Sequence, residues 1–401
     1  MSTLPLVPLS EDRADAAWAA LEEAFGSAPQ PDDRDVELAL VDPDRFLVAL
    51  DGERVAATGG SFALRMALPG VGPVPVAGVT WVSVTATYRR QGLLGTLMER
   101  LLRERWEAGE SVAALWATEA AIYQRYGYGL GSVGLTAEVP RGAAFARPVG
   151  RGGVQLVAPD AQRLDPVLRR VAELTPGWFL RDEALWAYRL HDPVSGRSGA
   201  SPLRCLVTDD GDGYALYATT STYGPGGPDG EVRVKELTAA TPDAAARLWR
   251  FLLDLDLTTR TTARLASDDA LLHLLAEPRR AVPRLGDALW VRPLDVGRAL
   301  AARRYAADVD AVLDVEDVTC PWNTRRWRLS GGPDGAVCEP TGDPADLALT
   351  AADLGAALLG GTSLHARAGV GTVVEQRPGA LVRVAAAFGP LGRAPHCPMV
   401  F

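Results

Sequence analysis

Hydrophobic and polar positions change period several times along this chain, and the sharpest change falls between Val79 and Trp106. Val79, Trp81 and Val84 are β-formers set among the short polar residues Thr80, Ser83 and Thr85, which predicts a strand. Beyond it the period becomes helical. Leu94, Leu97, Met98, Leu101 and Leu102 share one face, while Glu99, Arg100, Arg103 and Glu104 fall elsewhere. A basic, glycine-bearing turn, Arg89-Arg90-Gln91-Gly92-Leu93-Leu94-Gly95, joins the two.

The same reading organises the rest. Residues 1 to about 150 predict a first domain: a helix from Ala14 to Phe25, an acidic Pro-bearing loop with Asp32, Asp33 and Asp35, and a hairpin of Phe46–Leu50 and Arg54–Ala57 about Asp51-Gly52. A second hairpin, Arg65–Leu68 with Val74–Ala77, turns at Gly70, and Val112–Ala117 is a buried strand after Gly109 stops the central helix. Residues 151 to 288 repeat this order: strands at Leu203–Val207, Tyr214–Ala218 and Glu231–Leu237, then a helix from the Thr241-Pro242 cap to about Leu255. From Leu289 the pattern becomes α+β: Val291–Val296 leads into a helix at Arg298–Tyr305, and Ala311–Val318 is followed by a hairpin around Gly331–Gly335. A strand at Asp346–Thr350 then meets a helix stopped by Gly360-Gly361. The expected fold class is thus mixed α/β (α+β), with domains at 1–150, 151–288 and 289–401.

Composition changes this picture little. A chain of 401 residues exceeds one ordinary core. Hydrophobic content of 47% with 23% charged residues is that of a globular protein. No apolar run is long enough for a membrane span, and Met1-Ser2-Thr3-Leu4-Pro5 lacks a basic, apolar leader, so a cytoplasmic protein is expected. The net charge of −9 argues against nucleic acid and suits a cationic partner. Four scattered cysteines and four histidines show no metal spacing, which predicts reduced thiols and no metal.

The chemistry concentrates at the Arg89–Gly95 turn. The first N–H groups of a helix have no internal partner and the helix dipole favours anions there. Gly92 and Gly95 admit a phosphate to the backbone, and the arginines add charge. The turn has no Gly-Lys-Ser/Thr and no G-x-G-x-x-G. It is similar to the R/Q-x-x-G-x-G/A segment of the GNAT N-acetyltransferases, with Leu94 where Gly or Ala is usual. About 30 residues on, Thr118-Glu119-Ala120-Ala121-Ile122-Tyr123-Gln124-Arg125-Tyr126-Gly127-Tyr128-Gly129 resembles the tyrosine segment of the same enzymes. The junction Leu237–Pro242 in the second repeat has neither arginine nor glycine, so that copy reads as degenerate.

A GNAT domain, a degenerate second one and a sterol-carrier-like C-terminal domain together resemble the Eis (enhanced intracellular survival) acetyltransferases. The resemblance is sharpest at Val82–Gly95, Thr118–Gly129 and the terminus His396-Cys397-Pro398-Met399-Val400-Phe401. It implies that acetyl-CoA is held by Val82, Ser83, Val84, Arg89, Arg90, Gln91, Gly92, Leu93, Leu94, Gly95, Thr118 and Glu119. It also implies Tyr123 as general acid, the main-chain carboxylate of Phe401 as general base, and a homohexamer. The acceptors it implies are aminoglycosides, other polyamines or lysine side chains.

The chemistry is consistent with those roles. A protonated amine cannot attack a thioester, so a base must take its proton, and the departing thiolate needs an acid. Backbone N–H groups of a splayed strand around Val82–Val84 can polarise the thioester carbonyl. Phe25, Trp81, Trp178 and Trp186 are candidates to line an acceptor pocket or to be packing, and Asp32, Asp33 and Asp35 a solvated loop or a polyamine contact. The rival reading of the whole is a lipid carrier or scaffold with relic GNAT domains.

Overall fold

The computed structural model describes residues 4–27, 30–150 and 152–401. The terminal residues Met1 to Thr3, read above for a leader, lie outside the described residues. The chain divides into two compact units: Met1–Ser132 with Ala288–Leu391 and Val400–Phe401, and Val133–Asp287 with Gly392–Met399.

The first unit opens with β1 (Leu6–Pro8), α1 (Ala14–Phe25) and α2 (Pro31–Leu38), then β2 (Phe46–Asp51), β3 (Arg54–Leu68) and β4 (Gly72–Val84). The acidic stretch is therefore the helix α2, not a loop: Pro31 occupies its first turn, where the missing N–H costs nothing and acidic residues suit the dipole. Both expected hairpins form, but they share a strand. One long strand, β3, pairs with β2 at one end and with β4 from Ala57 to Leu68, turning at Gly70 (φ +75°). The break expected after Ala57 is absent because Gly59 and Gly60 continue the strand. A Cβ at Gly60 would stand 2.2 Å from the Phe46 ring, and one at Gly59 2.4 Å from Leu97, so glycine is what lets the strand lie under both.

Next come α3 (Leu93–Glu107), β5 (Val112–Trp116), α4 (Ala120–Gln124) and β6 (Gly129–Leu130). Leu93, Leu97, Met98, Leu101 and Leu102 bury one face of α3 against Leu47, Ala57, Ala77, Val79 and Leu115. Burial of five such side chains, at about 1.5–3 kcal/mol each, anchors the helix to the sheet.

The second unit holds β7 (Val133–Pro140), β8 (Val154–Val157), α5 (Ala161–Ala172), β9 (Phe179–Leu180), α6 (Glu183–Leu190), β10 (Arg204–Thr208) and β11 (Gly213–Thr219). It continues with β12 (Tyr223–Gly224), β13 (Gly227–Pro228), β14 (Gly230–Ala239), α7 (Pro242–Asp254), β15 (Thr258–Ala266), α8 (Ala270–Leu274) and β16 (Arg284–Asp287). Its sheet runs β16-β7-β15-β14-β11-β10-β8, with α7 burying Leu248, Trp249, Leu252 and Leu253 against it. The first boundary thus lies at Ser132/Val133 rather than near 150, because β7 pairs with β15 and β16 along its whole length.

The chain then returns to the first unit with β17 (Leu289–Pro293), α9 (Val296–Ala301), β18 (Val309–Glu316), β19 (Arg325–Gly332), β20 (Gly335–Pro340), β21 (Leu347–Thr350), α10 (Ala351–Leu358), α11 (Leu364–Gly369), β22 (Val374–Glu375) and α12 (Ala380–Ala387). β17 is not part of the C-terminal sheet. It inserts between β5 and β6, giving the order β1-β2-β3-β4-β5-β17-β6, while β18 to β22 form a separate sheet ordered β20-β19-β18-β21-β22. The first unit's sheet therefore contains a strand, β17, that follows the whole of Val133–Asp287 in sequence. Helix α10, started by a Thr350–Asp353 capping box, packs on β6 and β17. Gly129 and Gly355 permit that approach: a Cβ on Gly129 would lie 1.9 Å from the Ala352 carbonyl oxygen, and one on Gly355 2.1 Å from that of Val291.

Candidate active site

β4 and β5 run parallel, yet they pair only at Ala77–Ala113 and Gly78–Ala114. Beyond Gly78 they part, and the cleft opens toward the carboxyl ends of both strands. One cause lies in β4. Its register against β3 slips between Thr58 and Gly60, and Trp81 takes the left-handed conformation (φ +55°). This is a β-bulge at a bulky residue, a conformation that persists only where the surroundings enforce it. Here the Trp81 ring is buried edge-on against Phe46 at 5.5 Å, and the Thr58 hydroxyl donates to the Trp81 carbonyl at 2.6 Å. Thr58 also shares a 2.9 Å hydrogen bond with the Ser83 hydroxyl. The bulge re-aims Val82, Ser83 and Val84, the strand residues singled out above, and Ser83's side chain is engaged in holding it.

The turn after β4 takes two further left-handed residues, Arg90 (φ +63°) and Gly92 (φ +88°). Gly92 is the N-cap of α3 and no side chain caps this helix. The amides opening it, from Leu93 through Gly95, therefore face outward without a side-chain acceptor, at the positive end of a 15-residue dipole. Added Cβ atoms at Gly92 and Gly95 would meet nothing within 4 Å, so the space above the turn is open. The polar side chains divide here. Arg89 donates to the Val84 carbonyl at 3.1 Å and to that of Ala24 at 2.8 Å, and Gln91 to that of Thr87 at 3.1 Å. Both tie the turn to the fold. Arg90 is exposed and makes no hydrogen bond or ion pair with any described residue, which leaves it available to an anion.

In the second unit α7 occupies the corresponding place after β14. Thr241 caps it, accepting from the Ala244 amide at 3.2 Å, and Pro242 removes one donor. That helix start is closed to a phosphate.

On the other side of the cleft, Thr118 and Glu119 are exposed just past β5, and α4 carries Tyr123. The three tyrosines of the segment are not equivalent. Tyr126 and Tyr128 are buried, Tyr128 completely, whereas Tyr123 is half-buried and its hydroxyl has no hydrogen-bond partner among the described residues. Burial, with the nearby Glu119 charge adding to it, pushes the Tyr123 phenol up to about 12, so it stays protonated at neutral pH. Its ring stands edge-on to Tyr128 at 6.0 Å.

The segment is held from behind by residues that the sequence reading did not single out. Arg292 of β17, fully buried, donates to the Tyr126 carbonyl and pairs with Asp317 at 2.6 Å. Asp317 also accepts from the Cys320 amide at 2.9 Å and from Asn323 at 3.0 Å. A buried pair with its remaining lone pairs satisfied is rigid, and losing one partner costs several kcal/mol.

Phe401, the last residue, lies against β4. Its ring carbon Cε2 is 3.1 Å from where a Cβ on Gly78 would stand, at the point where β4 and β5 part. Of the acceptor-pocket candidates, Trp81 serves the bulge and Phe25 is half-exposed at the end of α1. Trp186 donates to Asp165 at 3.0 Å and stacks under Arg181, and Trp178 is buried in the second unit. Arg34 bonds Asp35 and Asp15 at 2.6 Å, which ties the acidic helix α2 to α1. All four cysteines are buried thiols, and no metal-binding cluster occurs among the described residues. No helix among them is long and apolar enough to cross a membrane.

Three segments of the chain match known families. Residues 6–131 and 177–293 match acetyltransferase (GNAT) domains, and 296–398 match a sterol carrier protein domain. An uncharacterized N-acetyltransferase of Streptomyces avermitilis is 43% identical over 95% of each chain. The N-acetyltransferase Eis of Mycobacterium tuberculosis is 33% identical over 89% of this chain and 90% of its own. A solved Eis structure from Mycobacterium abscessus superposes with a TM-score of 0.86 at 28% identity, covering 99% of this chain and 100% of that one.

Proposed function

The chain belongs to the Eis family of GNAT N-acetyltransferases, and from that premise we propose that it moves an acetyl group from acetyl-CoA to a primary amine of a polyamine-like small molecule, an aminoglycoside or a lysine. The observation that carries the reading is the open start of α3 beside the bulged end of β4. Uncapped amides, Arg90 and unfilled space above Gly92 and Gly95 suit a pyrophosphate. The Val82–Val84 backbone, re-aimed by the bulge, would hold the pantetheine arm and polarise the thioester carbonyl, with Thr118 and Glu119 on the opposite rim.

In this proposal the Phe401 carboxylate takes a proton from the bound ammonium, and the freed amine nitrogen attacks the thioester carbon. The new C–N bond forms as the C–S bond breaks, and the sulfur leaves with the proton of the Tyr123 hydroxyl. The acetylated nitrogen then sheds its remaining extra proton, which restores the Tyr123 phenol, and the Phe401 carboxyl releases its own proton to solvent. Support for these roles comes from the half-buried, protonated Tyr123 and from Phe401 seated at Gly78. The net charge of −9 suits a multiply charged cationic acceptor. A homohexamer is the assembly carried over from the resemblance, with the cytoplasm as the compartment expected from the sequence, and light scattering on the purified protein reads the first.

The test is thiol release from acetyl-CoA with an aminoglycoside, spermidine and a lysine peptide in parallel. Turnover with at least one amine is expected. No release with any of them, and co-purified lipid instead, would favour the carrier reading.

A further inference from the structure

The second unit keeps the cleft but not its chemistry. β14 and β15 run parallel and pair from Gly230–Thr258 to Val234–Ala263, then part, and β14 has its own register slip at Lys235, between Val234 and Glu236. Between the parted strands lies a cavity of about 230 Å³. One water needs only about 15 Å³, so this is room for a small molecule. With Thr241 and Pro242 closing the start of α7, a pyrophosphate is not what it would take.

What faces this cavity is unusual. Thr175 and Trp178 are 3% and 5% exposed, and with His396 they line it. Thr175 Oγ1, Trp178 Nε1 and His396 Nδ1 are all sheltered from solvent with no hydrogen-bond partner among the described residues. Buried polar atoms are nearly always paired, and each orphan costs about 1–3 kcal/mol. Three such atoms around one cavity point to a common acceptor and donor.

Several neighbouring polar groups are already engaged. Glu236 is held by Arg181 at 2.6 Å and by the Tyr214 hydroxyl at 2.5 Å, and Asp268 accepts from the Ala394 amide at 2.7 Å. Burial draws His396 down to about 4 and Asp269 up to about 6, which disfavours charge on these two side chains. The rings of Trp178 and His396 pack edge-on against each other at 5.7 Å, and Val171, Leu237 and Ala245 supply apolar wall.

We propose that this cavity is a second ligand site, specific for a small uncharged heteroaromatic amide or lactam. The carbonyl of such a ligand would accept from Trp178 and Thr175, its N–H would donate to the imidazole of His396, and its ring would lie against the apolar wall. The site is independent of acetyl transfer, because none of its residues is among those assigned to acetyl-CoA or to the proton steps.

The test uses the full-length protein with ¹⁵N-labelled tryptophan and nicotinamide as the probe, with benzoate as the charged analogue. There are ten tryptophans, and Trp178→Phe identifies one indole resonance while keeping the ring. Nicotinamide should move that resonance saturably, with a dissociation constant on the order of 1 mM, and benzoate should not. Thr175→Val, nearly isosteric, should weaken binding by about fivefold through loss of one hydrogen bond. The proposal is overturned if the Trp178 resonance stays still at about ten times that concentration, or if benzoate moves it equally. It is overturned too if Thr175→Val binds nicotinamide as tightly as the parent, a readout that holds even where Trp178→Phe fails to fold.

Discussion

Replacing Tyr123 with phenylalanine separates chemistry from packing more cleanly than any other change in the site. The ring that stands against Tyr128 at 6.0 Å is retained, and the hydroxyl removed has no partner among the described residues. Stability should therefore change by less than about 0.5 kcal/mol, as for substitutions that break no contact. Loss of a positioned general acid should lower kcat by about 10²- to 10⁴-fold, or about 3–5 kcal/mol at 1.36 kcal/mol per decade. Acetyl-CoA affinity, set across the cleft at the start of α3, should stay within about twofold, since uniform binding is untouched. The pH profile adds a second constraint. Burial raises the phenol from 10.0 to about 12, so the acid remains protonated across the alkaline range in which an amine loses its proton. The rate should climb with pH and level off, with no falling limb from Tyr123 below about pH 10. The linked stability term follows the same sign: it is intact below 10.0 and lost only as pH rises through about 12. Turnover of Tyr123→Phe within about threefold of the parent, at an unchanged melting temperature, would refute the assignment.

Other expectations can be checked with the same preparations. Appending a few glycines after Phe401 moves the free carboxylate away from Gly78 and should cut kcat at least about a hundredfold at unchanged melting temperature; full activity in such a protein excludes the terminal carboxylate as base. Arg90→Ala should weaken coenzyme A about tenfold by calorimetry, more at low salt, whereas Arg89→Ala should lower the melting temperature because it frees the Val84 and Ala24 carbonyls; equal effects from both would contradict the division of labour. For Glu236, burial alone would raise the pKa, but Arg181 and Arg189 outweigh it and hold the carboxyl at about 2 against 4.5. Its stabilisation is fully present only above 4.5 and is lost progressively as pH falls toward about 2, so the urea midpoint should hold down to about pH 5 and fall below it, while Glu236→Gln should lose about 3–5 kcal/mol at neutral pH. A variant as stable as the parent would show that the pair contributes nothing.

Local order was legible wherever a period and a punctuating residue agreed. The α3 stripe, the Thr241-Pro242 start of α7 and the Gly360 stop of α10 all lie where the pattern put them. The turn at Arg89–Gly95 was legible for the same reason: a glycine at a helix N-cap has a local cause. Apart from the acidic stretch that forms α2, the misreadings have a common physical origin, since they concern pairings between residues far apart in sequence. The strand β17 carries no sign that its partners are Val112–Trp116 rather than its own neighbours. Arg292 and Asp317 are ordinary residues until folding places one beside the Tyr126 carbonyl and the other beside Asn323. The bulge at Trp81 left a single trace, the Gly59-Gly60 pair in the facing strand, which reads as a break when the fold is unknown.

The placement of β17 also sets an order of events at the ribosome. The sheet that carries the cleft begins within the first ten residues to emerge, yet the edge of β5 is uncovered until Leu289–Pro293 has been made. Synthesis from Leu130 to Pro293 takes roughly ten to thirty seconds at about 5–20 residues per second. Throughout that interval the nascent Val112–Trp116 segment, an apolar strand with an unpaired side, is open to mispairing and to chaperones. Translation therefore starts the catalytic sheet first and completes it only after the second sheet's strands have appeared.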